Sequence, residues 1–488
     1  MSLSRRKCLQ ALLCSSVSLP LKAKLPASLP QSWDLVIVGA GAAGLTAAIW
    51  AKLSGVDRIL ILESEPLVGG SSIISGGLWA VSGTEMQKAH GISDSDADFF
   101  NDILEVGNHK NRIDVVEAFI RKNKEQYEWV TKTLGIVPKS IVPGAGTPRA
   151  HSFSMVSLVR RLTEEALKLG VAIRTGTRVT SLTKDAQGQV SGVAAEGQGV
   201  VQSFASSRGV ILASGGFARN TALMAKFSPR MRFVTAICAQ GSRGDGLLMA
   251  RRLGAALADT EYLEGSYAFT RHPSTIADMT LLPYYGAIVV NQNAERFVNE
   301  SLPYKQIAKA VLDQPRGQSA IVFDESIRRF AVEETLDKHL WEPIDRGFIP
   351  DYVVSDDSLS EAAVKAGLDP AALQKTVEDY NRAISNSDSQ RPRGKLSVNN
   401  GQLISISHPP YFIMPASVSM LGTYGGLRID GEGRVLREDG SPIPGLWAAG
   451  EVTGGFHGAS FIMGTAIAKA MVFGRIAAES AAGRDSHD

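Results

Sequence analysis

Gly39, Gly41 and Gly44, in the spacing G-x-G-x-x-G with Ala43 inside it, and a carboxylate nineteen residues further on, Glu63, are residue types that hold a dinucleotide. The first glycine allows a tight turn and the second lets a pyrophosphate approach bare backbone. The third lets a helix close onto a strand, with its N-terminus facing the phosphates. Glu63 is placed to accept from ribose hydroxyls. The surrounding elements must supply that geometry, and the sequence predicts them. Asp34 to Val38 is a continuous apolar run suited to a buried parallel strand, Leu45 to Leu53 has a helical pattern, and Arg58 to Leu62 is a second strand that delivers Glu63.

The next segment carries Ser64, then Gly69-Gly70-Ser71-Ser72 and Ser75-Gly76-Gly77, a second set of glycines and hydroxyls. More backbone approaches a second phosphate and a ring there, which a plain nicotinamide enzyme does not need. Far downstream, Gly445 to Glu451 reads as a strand closing on a Gly450-Glu451 turn. Gly464-Thr465-Ala466-Ile467 then opens a last helix that runs to Ala482. One cofactor touched by both ends of the chain must be long, which suits FAD.

The composition narrows the function classes. The 488 residues are 44% hydrophobic and 20% charged, enough for two or three domains with buried cores. A net charge of +2 provides no field for non-specific binding of nucleic acid or an anionic membrane. Glycine, at 48 residues, clusters instead of repeating, which points to special backbone at a cofactor. Three cysteines, Cys8, Cys14 and Cys238, exclude a disulfide framework, a Cys-built zinc site and c-type haem attachment; no metal site is expected. No run of eighteen apolar residues occurs, so no membrane-spanning helix is expected in the mature body.

From Trp33 to Ala482 the chain resembles the flavoprotein superfamily of soluble fumarate reductases, succinate dehydrogenase flavoprotein subunits and 3-ketosteroid dehydrogenases. The resemblance is carried by the glycine motif with Glu63, by Gly69 to Ser72, Leu212 to Phe217, Gly244-Asp245-Gly246 and Arg296 to Glu300, and by Gly450 to Gly455 and Val472 to Arg475. It implies an α/β fold: a Rossmann-like, glutathione-reductase-type FAD-binding domain, discontinuous in sequence, with an inserted α+β capping domain. The implied division is 1-31 export signal, 32-261 and 405-488 FAD-binding domain, and 262-404 cap. It adds Val179, Ala213, Ser214, Gly215, Asp245 and Ile462 to the implied cofactor residues. Ser71 and Ser72 stand where membrane-complex relatives attach FAD to His, so non-covalent binding is implied.

Within the superfamily the fumarate-reductase branch clamps two carboxylates with Arg and His and delivers a proton from an Arg. Those positions read Tyr304, Phe461 and the His-less stretch Leu421 to Gly426, and the cap acid near Thr280 is absent. Burying a carboxylate without cations costs several kcal/mol, about 3 or more, which argues against a dicarboxylate. Asn299 to Tyr304 and Gly76 to Trp79 resemble the ketosteroid dehydrogenase branch instead. That resemblance implies Tyr304 as proton acceptor or donor alpha to a carbonyl and the Gly464 backbone N–H as carbonyl polariser. A phenol of ordinary pKa near 10 needs assistance at neutral pH. Lys305, next in sequence, is expected to point elsewhere. Carbonyl recognition is left among Ser460, Tyr424 and backbone.

Several residues have two readings. Arg271 and His272 either face substrate at the cap entrance, where they would hold an unsaturated monocarboxylic acid, or are solvated loop groups. His457 supports flavin carbonyls or backbone, and His151 is expected in packing or at the surface. Tyr284 and Tyr285 are strand-entry aromatics or walls for an apolar ring. Arg328-Arg329 and Arg391 to Arg393 are expected to be solvated. Ser4-Arg5-Arg6-Lys7, the short apolar stretch from Ala11 and a polar tail resemble a twin-arginine export signal, which implies a periplasmic or exported protein; the alternatives are a disordered basic start and a cytoplasmic location. The expected function is redox chemistry at a CH–CH bond next to a carbonyl, with a non-catalytic flavin electron carrier as the other class. No NAD(P) fingerprint, haem motif or Fe–S cysteines appear beyond this, so electrons must pass to an external quinone, cytochrome or oxygen.

Overall fold

A computed structural model describes residues 32–142, 147–231, 234–263, 265–273, 275–302, 304–334, 338–385 and 404–483. The export signal and Arg391 to Arg393 lie outside the described residues. Everything below concerns the compact unit Ser32–Asp488.

The apolar run emerges as the strand Leu35–Val38, every residue buried, at the centre of a six-stranded sheet. Its order is Arg434–Leu436, Pro442–Ala448, Val210–Leu212, Leu35–Val38, Ile59–Leu62, Ala172–Arg174. All neighbours are parallel except the first pair. Buried parallel strands need cover on both faces, which explains their unbroken Val/Ile/Leu composition. The helix Ala42–Leu53 follows the central strand, and the last helix, Thr465–Ala481, packs on it. That crossing is made by small residues: a side chain at Gly474 would meet the Ala43 backbone. Two distant parts of the chain thus share one sheet and one helix pair. A separate four-stranded sheet of Ser32–Trp33, Val200–Ser206, Val190–Gly197 and Thr177–Lys184 lies beside them in sequence.

The region between those parts builds a second sheet around the ten-residue strand Tyr411–Met420. Ser319–Asp324 and Ser266–Thr270 pair with it antiparallel, Val354–Asp356 antiparallel and Thr235–Ala236 parallel; Ile288–Val290 pairs with Ser319–Asp324. Its core contains stacked Phe323 and Phe412, with Trp341 edge-on to Phe323. The central strand lies past residue 404 and Thr235–Ala236 lies before 262, so this sheet draws on residues at both sides of the expected cap limits.

Among the described residues no helix is long and apolar enough to cross a membrane. Two expectations about charges and aromatics differ. Arg328 is buried, not solvated, because Glu325 and Asp345 both pair with it, whereas Arg329 is exposed. Tyr284 and Tyr285 end a one-turn helix, Leu282–Tyr285, instead of entering a strand. His151 is fully buried, bonded through one ring nitrogen to Thr84 Oγ1 at 2.8 Å and through the other to the Arg149 carbonyl at 2.8 Å.

Candidate active site

The carboxyl ends of the parallel strands and the antiparallel layer bound a single cavity of about 2250 Å³. That is several times what a small substrate requires, typically about 300–1,000 Å³. One end is made of glycine backbone. Gly39 has φ 106°, and a side chain at Gly44 would overlap the Gly39 carbonyl, so the helix start can sit directly over the strand end. Ala42 N donates to Ser72 Oγ at 3.1 Å, tying the helix start to the second glycine segment. Glu63 is buried and accepts from Ala40 N at 2.7 Å on one oxygen and from Glu65 N at 2.9 Å and Ser64 Oγ at 3.1 Å on the other. Ser71 Oγ meets Ser242 Oγ and accepts from Ala239 N.

Of the expected cofactor residues, Gly39, Gly41, Ala43, Glu63, Ser64, Gly70, Ser71, Ser72, Ser75, Gly76, Gly77, Val179, Ala213, Ser214, Gly215, Asp245, Gly450, Glu451, Ile462, Gly464, Ala466 and Ile467 line this cavity. Gly44, Gly69 and Thr465 are not on its wall. Gly44 serves the helix–strand contact, Gly69 (φ 115°) the turn before Gly70, and Thr465 Oγ1 donates to the Ile462 carbonyl at 2.6 Å. Ser214 Oγ is buried without a hydrogen-bond partner and packs towards Gly246, where a side chain would collide with it. A large cavity with a glycine cradle at one end fits FAD.

The other end is made of side chains. Arg296 is bidentate to the fully buried Glu300, whose Oε1 also accepts from Val289 N at 2.8 Å. Tyr284 Oη donates to the Leu302 carbonyl at 3.0 Å. These bonds fix the loop that starts the helix Tyr304–Leu312, so Tyr304 sits in its first turn and on the cavity wall. Gly464, with φ 91°, begins the last helix; its carbonyl accepts from Ala80 N at 2.9 Å, and a side chain there would press on Ala80.

Lys305 differs from expectation. Its side chain is not turned away but is 7% exposed, lines the cavity and donates from Nζ to Tyr424 Oη at 2.7 Å. The second residue of the helix remains close enough to the first for a long lysine stem to reach back over the same wall. The ammonium also lies over the rings of Tyr424 at 4.6 Å, Phe461 at 5.4 Å and Tyr304 at 5.7 Å. Tyr424 stacks on Phe461, with centroids 4.8 Å apart, and His457 packs edge-on to Tyr424.

Buried charges behind this end hold its loops. Asp259, at φ 60°, accepts from Gly455 N at 2.7 Å and Gly458 N at 3.2 Å; burial pushes its carboxyl up to about 6. Glu451 accepts from Thr423 N at 2.8 Å, and burial raises its pKa. Lys469 Nζ donates to the Thr453 carbonyl at 2.8 Å; burial pulls it down to about 8 against the opposing pull of Asp259 and Glu451. Burial, with the charges of Lys469 and Lys305, holds His457 well below the ordinary imidazole value, so this ring is neutral at physiological pH. Of these, Asp259 and Lys469 escaped the sequence reading. Lys469 left a trace, a lysine inside the otherwise apolar Ala466–Phe473; Asp259 left none.

Arg271 and His272 are exposed, and neither is among the cavity-lining residues. The strand Ser266–Thr270 ends just before them and carries the chain to the exterior. Tyr284 and Tyr285 do line the cavity, and burial raises the Tyr284 phenol.

The family described as FAD binding domain matches residues 34–467. The chain belongs to this family. It is 32% identical over 458 residues to a fumarate reductase (cytochrome) of Shewanella frigidimarina, covering 92% of this chain and 77% of that protein. It is 29% identical to a urocanate reductase of Eggerthella lenta (94% and 76%) and 28% identical to a 3-oxosteroid 1-dehydrogenase of Mycobacterium tuberculosis (92% and 98%). Among solved structures it is similar to the open conformation of a flavocytochrome c3 fumarate reductase, with TM-score 0.79, 27% identity and coverage of 99% and 81%. It is likewise similar to a 3-ketosteroid-delta4-(5alpha)-dehydrogenase of Rhodococcus jostii, with TM-score 0.76, 26% identity and coverage of 94% and 99%. The α/β FAD-binding fold, the cofactor FAD and the oxidoreductase class follow. Over the whole chain the fumarate reductase is more similar by identity than the 3-oxosteroid 1-dehydrogenase.

Proposed function

We propose that this member of the family adds hydrogen to, or removes it from, a carbon–carbon bond conjugated to a carbonyl, with Tyr304 as the proton donor or acceptor. Bound FAD supplies the two-electron chemistry, as hydride exchange at its N5. Gly39 to Ala43, Glu63 and Ser72 would hold its nucleotide part, and the start of the last helix would face its ring system. Ser71 and Ser72, in place of an attaching histidine, favour non-covalent binding.

The observation that carries the reading is the placement of Tyr304 on the wall, in the first turn of a helix whose start is pinned from two sides by Arg296–Glu300 and Tyr284. A fixed phenol can give a proton to the carbon alpha to the carbonyl in reduction, or take one in desaturation, while the Gly464 N–H polarises the carbonyl oxygen. Lys305, 5.7 Å from the Tyr304 ring, is the assistance the phenol needs: a cation beside a phenol favours its deprotonated form. Electrons enter or leave through an external quinone, cytochrome or oxygen, and the Arg5-Arg6 leader favours action outside the cytoplasm.

Tyr304→Phe removes only the hydroxyl. The rate of hydrogen transfer should fall by about 10²–10⁴, with flavin content and ligand affinity little changed. Rapid-mixing measurements of flavin oxidation or reduction by enones and unsaturated acids read this directly. An unchanged transfer rate in Tyr304→Phe would refute the acid–base role.

A further inference from the structure

Lys469 lies one turn inside the last helix and is 2% exposed, yet it lines the cavity. Ala466 and Ala470, its neighbours on that face of the helix, line the cavity too and carry only methyl groups. An ammonium has three donors, and Nζ uses one, on the Thr453 carbonyl at 2.8 Å. Among the described residues it forms no salt bridge. The two acids whose charge it feels, Asp259 and Glu451, take their hydrogen bonds elsewhere: Asp259 from Gly455 N and Gly458 N, Glu451 from Thr423 N. A neutral donor would satisfy one carbonyl without the penalty of taking a cation out of water. The loop bond therefore accounts for a donor at this position but not for a charge. The same helix is seventeen residues long and begins at Gly464 on the cavity wall, so its unpaired N–H groups add positive potential at the same place.

We infer that Lys469 sets the redox level of the bound flavin, its ammonium favouring the negative charge that the ring system acquires on reduction. This deepens the proposed function and rests on its reading that the start of the last helix faces the ring system. When hydride passes to N5, the substrate C–H bond breaks and an N5–H bond forms. Two electrons and one proton then enter a neutral ring, which is left with one negative charge. A cation fixed near the N1 side of the ring attracts that charge and has nothing comparable to attract in the oxidised form. The effect therefore falls on the equilibrium between the two redox forms and not on the affinity for oxidised FAD. Asp259 and Glu451, where ionised, act in the opposite sense, so the charge of Lys469 decides the sign of the local field.

The test is anaerobic equilibration of the holoenzyme with a reference dye of known potential, without substrate, read from the flavin and dye absorbances. Lys469→Met should shift the equilibrium by about 100-fold toward oxidised flavin, about 60 mV for two electrons. Lys469→Gln, which can still donate to the Thr453 carbonyl, should shift it about as far, and Lys469→Arg should stay within about threefold of the wild type. The wild type itself should favour the reduced form at least about tenfold more than free FAD does, about 30 mV, a comparison that needs no variant to fold. An unchanged equilibrium in Lys469→Met or Lys469→Gln, or a wild-type flavin no more readily reduced than free FAD, would each overturn the assignment. No substrate takes part, so the potential is independent of the Tyr304→Phe transfer rate, and either reading can fail alone.

Discussion

The two ends of the cavity are built by different means. The nucleotide end is a backbone surface in which Gly39, Gly41 and Gly44 matter for what they lack, and the strands beneath them are fully buried. The substrate end is a side-chain surface in which Tyr304, Lys305, Tyr424 and Phe461 are held by a shell of bonds from remote segments. A backbone cradle tolerates no added atom but is indifferent to most neighbouring side chains. A side-chain wall accepts substitution without loss of fold and changes its ligand as it does so. This difference explains how chains can share one FAD-binding domain and still present different groups to their substrates.

The largest effect should come from violating the backbone end. A methyl at Gly44 overlaps the Gly39 carbonyl and cannot be relieved without lifting the helix from the strand. Gly44→Ala should therefore lose bound flavin and about 3 kcal/mol or more of stability. Flavin content after purification and chemical denaturation of the variant decide it. Retained flavin with unchanged stability would mean that the cradle is not set by close backbone approach.

The same contrast governs what could be read before folding. The cradle is local in sequence: strand, glycine turn, helix and Glu63 fall within thirty residues, and period and spacing reveal them. The last strand and helix were legible for the same reason. The sheet around Tyr411–Met420 was not, because the central strand's partners come from four separate stretches between residues 235 and 356. Lys305 was misjudged because neighbours in sequence are assumed to face different ways on a helix, an assumption that a flexible four-carbon stem in the first turn does not obey. Asp259 carries out its work through two backbone N–H groups nearly two hundred residues away, and no short-range pattern can announce that.

The smallest effect concerns protonation at the side-chain end. His457 is held well below its ordinary value of 6.5, chiefly by burial and further by the charges of Lys469 and Lys305. A group whose folded pKa is depressed contributes stability that is fully present above the unfolded value and lost as the pH falls through the window beneath it. The wild type should thus lose stability on acidification from about pH 6.5 downward more steeply than His457→Gln, which has no imidazole to charge. Above that window the two should differ by a constant offset, since the neutral ring then contributes only packing against Tyr424 and Phe461. Denaturation midpoints across the range test this. Parallel curves down to about pH 4.5 would mean that the imidazole already binds its proton in the folded protein, and the wall would carry a second cation beside Lys305.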